Sequence, residues 1–116
     1  MTPLRFLTQM RRHLTPPDMW MKGNYSHRGI QGAEAGDPCC LYGCMYYVRN
    51  QNRFEGPEGM TGSELFVAVD MIINMHIAPP GERSPGIPDF NDDPNTTHAD
   101  VMAMLDECIA AEEDTA

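Results

Sequence analysis

A chain of 116 residues has room for one domain built on one modest core. Seventeen acids against eight basic residues give a net charge of −9, which excludes the phosphate-neutralising patches that nucleic-acid binding needs. No apolar run approaches the roughly 20 residues that span a bilayer, and the N-terminus lacks the apolar core and cleavage site of a secretory signal, so the expectation is a cytoplasmic domain with no membrane partner.

The first predicted element is an amphipathic helix over residues 3–14. Thr2 suits its N-cap and Pro3 its first position. Leu4, Leu7, Met10 and Leu14 recur at helical spacing, Phe6 widens their face, and Thr15-Pro16-Pro17 ends the run. Residues 18–36 are broken up by glycines. Their pattern is compatible with a short β-hairpin near 19–31, residues 19–22 pairing with 28–31, and Trp20 is expected to close the core from that side.

Asp37 and Pro38 predict a cap and first position for a second helix, which would start with Cys39 and Cys40 and end near Asn50. It is apolar nearly all round, so it is expected at the centre of the fold, with Gly43 allowing close approach of a neighbour. After a polar loop, Thr61 and Glu64 form a capping-box pattern. Leu65, Val69, Ile72, Ile73 and His76 then mark one helix face, widened by Phe66, Met71 and Met75. Residues 79–96 are rich in Pro and Gly, with Ile87 and Phe90 as anchors into the core. A last helix is predicted from about His98 to Ala111, on a stripe of Val101, Met104, Leu105, Cys108 and Ile109, and residues 112–116 are expected to fray as an acidic tail. The fold class is therefore mainly α: a single domain of three to four helices around the buried 39–48 helix.

The densest group of special residues runs from Asp89 to Val101. Thr97 reads as an N-cap with Asp100 reaching back to it, while Asn91, Asp92 and Asp93 suit Asx-turns and Pro94 fixes the bend. Counting Asp89 as the first position of a calcium loop places oxygen ligands at alternate positions. That reading fails where Pro94 stands in place of the required Gly and Asp100 in place of a bidentate Glu.

Charge is unevenly placed. Residues 1–14 carry Arg5, Arg11 and Arg12 and no acid, whereas residues 89–116 carry nine acids and no Lys or Arg. Such an acidic end suits a basic protein partner, and Asp89, Asp92, Asp93, Asp100 and Asp106 are the candidate contact residues. Ten Met in so short a chain suit an adaptable apolar surface as well as a core.

The four cysteines, Cys39, Cys40, Cys44 and Cys108, are expected to be reduced. Two chemistries follow from them. Cys39 or Cys40, placed in a first helical turn that favours thiolate, could act with His98 oriented by Asn91 in a thiol hydrolase or acyl-transfer site. Alternatively Cys39, Cys40, Cys44 and Cys108 could hold a structural zinc. His98 and Cys108 could not both reach one ion, because about 15 Å of helix rise separates them. No CxxC pair supports a metal, no cofactor motif is present, and His13, His27 and His76 read as surface or rim residues.

Two segments together resemble a family of small uncharacterised proteins of actinobacteria and their phages. One is the Cys39-Cys40 helix with Gly43, similar to that family's Cys-Cys-x-x-Gly-Ala-type helix. The other is Phe90-Asn91-Asp92, Pro94 and Thr97-His98-Ala99-Asp100-Val101, similar to its Trp-Asn-Asp-x-Pro-x-x-Thr-His-x-Glu-Val-Leu-type segment. The chain departs in Phe90 for Trp, Asp100 for Glu and Cys44 for the small residue after Gly43. The resemblance implies origin and fold but no activity. The functional expectation is a small cytoplasmic phage or actinobacterial accessory protein that binds a host or phage protein through its acidic C-terminal surface. The alternatives are the thiol enzyme and the zinc-stabilised domain.

Overall fold

The computed structural model describes residues 1–23, 37–52 and 59–115. Within them the chain forms five helices: α1 (Pro3–Leu14), α2 (Leu41–Asn52), α3 (Gly62–Ile77), α4 (Ile87–Asp92) and α5 (His98–Thr115), with a 3-10 turn at Pro17–Met19. Caps legible in the sequence are present. Thr2 Oγ1 accepts from Arg5 N, and Thr61 and Glu64 satisfy each other's backbone N–H groups. Thr97 and Asp100 do the same for α5, at 2.9 and 3.2 Å.

α3 packs against all four other helices, and α2 packs against α1, α3 and α4. The core draws Phe6, Leu7, Met10 and Leu14 from α1, Leu41, Cys44, Met45 and Val48 from α2, Leu65, Val69 and Ile73 from α3, and Val101, Leu105 and Cys108 from α5. Each fully buried Leu, Ile or Phe contributes about 2 kcal/mol over an exposed one. No helix among the described residues is long and apolar enough to cross a membrane.

Three elements differ from the sequence reading. α2 begins at Leu41, not at Pro38, because Cys39 is held extended: its N–H donates to Met19 O (3.0 Å) and its carbonyl accepts from Met21 N–H (3.1 Å), a parallel bridge at Trp20. Cys40 is the residue at the cap. Its carbonyl accepts from Cys44 N–H and its sulfur from Gly43 N–H. No strand forms among the described residues, and most of the expected hairpin, from residue 24 on, lies outside them.

α4 is the second difference, a short helix inside the Pro-rich stretch. Gly86, at φ 92°, supplies the left-handed entry that a side chain would resist, and Phe90 N–H closes the turn on Gly86 O. Ile87 is the buried anchor expected there, and Phe90 packs at the core's edge. Third, α5 runs four residues past Ala111, to Thr115.

Candidate functional site

Asn91 is the one fully buried polar side chain among the described residues, at 0% exposure, and every hydrogen-bonding position of its amide is used. Oδ1 accepts from Trp20 Nε1–H (2.7 Å) and from the Leu41 backbone N–H (3.0 Å). Nδ2 donates to Met21 O (3.1 Å) and to Asp92 Oδ1 (2.9 Å). One side chain thus caps the unpaired first N–H of α2 and ties the 19–21 segment beside it. Asp92 extends the junction by accepting from Gly23 N–H, and Lys22 Nζ donates to Asp93 O.

His98 does a related job. Its Nε2–H donates to Leu14 O at 2.7 Å, filling one of the carbonyls left open at the end of α1. The His98 and Trp20 rings lie 6.3 Å apart. His98 and Asn91 therefore each hold backbone, and neither contacts a cysteine side chain in the bonds they make.

The thiols meet a different histidine. Cys39, at 0% exposure, lies at the packing of α1 on α2 with Cys44 and His13. Its thiol is pulled down to about 6, first by a hydrogen bond from Cys44 and then by His13, against the opposing effect of burial. His13 is shifted up by the same Cys39 contact. The imidazole is fixed by Asp37 O, 3.0 Å from Nε2, and by the Tyr47 ring at 4.5 Å. Cys44 Sγ lies 3.7 Å from Met10 O, and burial pushes its thiol well up. Burial likewise raises Cys40, and it takes Cys108 to about 12, with that sulfur directed at Met104 Sδ.

His13 is half-buried, as a rim position would be, but its ring is turned inward to Cys39. The signal was present, since Phe6, Met10 and His13 follow one another at helical spacing toward the buried face. The four cysteines do not converge: Cys108 sits on α5 beside Met104. Among the described residues no group of three or more His, Cys, Asp or Glu side chains is placed to share a metal ion.

The candidate contact acids divide. Asp92, Asp93 and Asp100 accept from backbone N–H groups of Gly23, Asn95 and Thr97, while Asp106 pairs with Arg11 at 2.8 Å across α1 and α5. Asp89 is exposed on α4. The calcium-like segment is thus part helix and part capped turn, with the carboxylates of Asp92, Asp93 and Asp100 turned to the backbone. A cleft of about 280 Å³ opens where the C-terminal end of α3 meets α4 and α5. It is lined by His76, Ile77, Phe90, Asp100, Ala103, Met104 and Glu107, with His76 Nδ1 3.8 Å from Glu107 Oε2.

These features define a small helical domain fastened by one buried amide, with an acidic last helix. The chain belongs to the family of unknown function DUF6197, which it matches over residues 1–111. No curated protein and no solved structure matches it.

Proposed function

We propose that this chain is a cytoplasmic accessory protein, of phage or actinobacterial origin, that works by binding another protein through its acidic C-terminal surface. The observation that carries this is the composition of α5. From His98 to Thr115 it bears six acids and no Lys or Arg, and Glu107, Glu113 and Asp114 stand exposed at its surface. Asp89, Asp92 and Asp93 extend that acidic surface beyond α5, although Asp92 and Asp93, like Asp100 and Asp106 on the helix, also hold the chain together.

The test must leave those internal bonds intact. Asp89→Lys, Glu113→Lys and Asp114→Lys, combined, keep the Asn91 junction and the Arg11 pair. Capture of partners from an actinobacterial lysate should fall strongly with this variant and with added salt. Capture unchanged by the triple variant would reject the surface.

A second reading is thiol chemistry at Cys39, supported by the proximity of His13 and Cys44 and by the lowered thiol. His13 takes the place proposed above for His98. Substrate would have to reach a fully buried sulfur, so this reading requires local opening. Mass labelling that modifies native Cys39 ahead of Cys108 would support it, and inert native thiols would reject it.

A further inference from the structure

Cys39 and Cys44 are close in sequence but belong to different pieces of structure. Cys39 lies in the extended bridge to the 19–21 segment, and Cys44 lies in the first turn of α2. Their thiols face one another. Cys44 donates to the Cys39 sulfur, and His13 of α1 bonds the same sulfur. Two thiols and one imidazole therefore meet at a single seam. The other cysteines are engaged elsewhere: the Cys40 sulfur accepts from Gly43 N–H, and Cys108 is directed at Met104 on α5.

The bond to Asp37 fixes which nitrogen of His13 is basic. A carbonyl can only accept, so Nε2, 3.0 Å from Asp37 O, carries the proton. Nδ1 is left to face Cys39 and take the thiol proton. The product is a thiolate beside an imidazolium, with a second thiol at hydrogen-bond distance, the layout of a reactive sulfur and a resolving one. Cys39 is fully covered, which favours a very small electrophile. Its cover is thin, because His13, Asp37 and Tyr47 around it are each half-buried. Its own backbone is tied to residues 19 and 21 by two hydrogen bonds and lies outside any helix, so exposing the sulfur requires that bridge to part and leaves the helices formed.

We propose that Cys39, Cys44 and His13 form a peroxide-reactive site, in which Cys39 attacks hydrogen peroxide and Cys44 closes the disulfide. This rests on the reading of Cys39 as a reactive thiol. The Cys39 thiolate forms a bond to one peroxide oxygen as the O–O bond breaks. The departing oxygen takes the Nδ1 proton of His13 and leaves as water, and Cys39 becomes a sulfenic acid. The Cys44 sulfur then attacks the Cys39 sulfur. The S–O bond breaks, and the hydroxide leaves as a second water with the Cys44 proton. One peroxide is reduced and the two thiols are oxidised to one disulfide.

The experiment treats the reduced full chain with hydrogen peroxide at low excess, blocks the remaining thiols with a maleimide, and reads the masses of tryptic peptides. Cys39, Cys40 and Cys44 fall together in the peptide of residues 29–49, and Cys108 falls in another. The 29–49 peptide should lose two hydrogens, with fragmentation placing the link between Cys39 and Cys44, at least about tenfold faster than Cys108 is oxidised. Cys40→Ala should keep the link. Cys44→Ala should abolish it and leave a Cys39 sulfenic acid that dimedone traps. A link through Cys40, a link between two chains, oxidation of Cys108 at an equal rate, or a disulfide that forms only in urea would each overturn the proposal. If maleimide labels native Cys39 ahead of Cys108 while peroxide leaves the pair reduced, the oxidative step is wrong and the thiol reading stands. A Cys39 inert to both reagents ends both.

Discussion

Two acidic regions of this molecule use their carboxylates in opposite ways. Between Asp89 and Asp100 the acids are crowded, yet Asp92, Asp93 and Asp100 spend their oxygens on backbone N–H groups inside the chain. Along α5 the acids stand on a regular helix whose backbone is already paired, and among the described residues only Asp106 has an arginine partner. Charge density therefore says little about availability. Carboxylates beside a turn are drawn to unpaired N–H groups, whereas those on a helix flank face a backbone already paired and meet side chains instead, as Asp106 meets Arg11 and Glu107 meets His76.

The largest effect that would break this contrast lies at Asn91. Asn91→Asp keeps the shape but removes both N–H donors and places a charge against Asp92. A loss of about 3 kcal/mol or more is expected in urea unfolding, or outright failure to fold. A loss under about 1 kcal/mol would mean that the junction is decorative. His98→Ala should cost about 1–2 kcal/mol by leaving Leu14 O unpaired. Thr97→Ala should cost about 1 kcal/mol through the lost cap.

The thiol cluster sharpens the comparison through pH. Cys39 is held down at about 6 in the fold, below its ordinary value of 9.0. Its ionisation thus stabilises the protein fully above the unfolded value, and that contribution is lost as pH falls through about 6. His13, shifted up, acts in the opposite sense: its contribution is full below its ordinary 6.5 and fades as pH rises through its folded value. Ultraviolet thiolate absorbance against pH should show a midpoint near 6. Cys44→Ala should move it up more than His13→Ala, since the Cys44 contact is the larger cause. The smallest effect belongs to the exposed face of α3. Met71→Ser/Met75→Ser should change stability by no more than about 0.5 kcal/mol per site, because neither side chain packs inward.

Much of the helical frame was legible in the sequence because its causes are local. Thr2, Thr61 and Thr97 announce helix starts, and the apolar stripes of α1 and α5 mark their buried faces. What was not legible depends on distant partners. Nothing near Cys39 reveals that Met19 and Met21 will claim its backbone and delay α2 to Leu41. Nothing near Asn91 reveals that its amide will serve Trp20 and Leu41 in place of an Asx-turn of its own. The periodicity of α3 placed Met71 and Met75 as a widening of the buried face, and packing left them outside. At 100° per residue Met71 and Met75 stand about 200° from Val69 and Ile73, across the helix from the buried row, so the expected widening of that face does not occur.

The same long-range bonds set an order on how the protein can be made. Leu14 O waits for His98, 84 positions later, and Leu41 N–H waits for Asn91, 50 positions later. A chain emerging from the ribosome N-terminus first therefore carries α1 and the start of α2 with their ends open until the final segment appears. Release of the last helix, not completion of the first, is the event that lets this domain close.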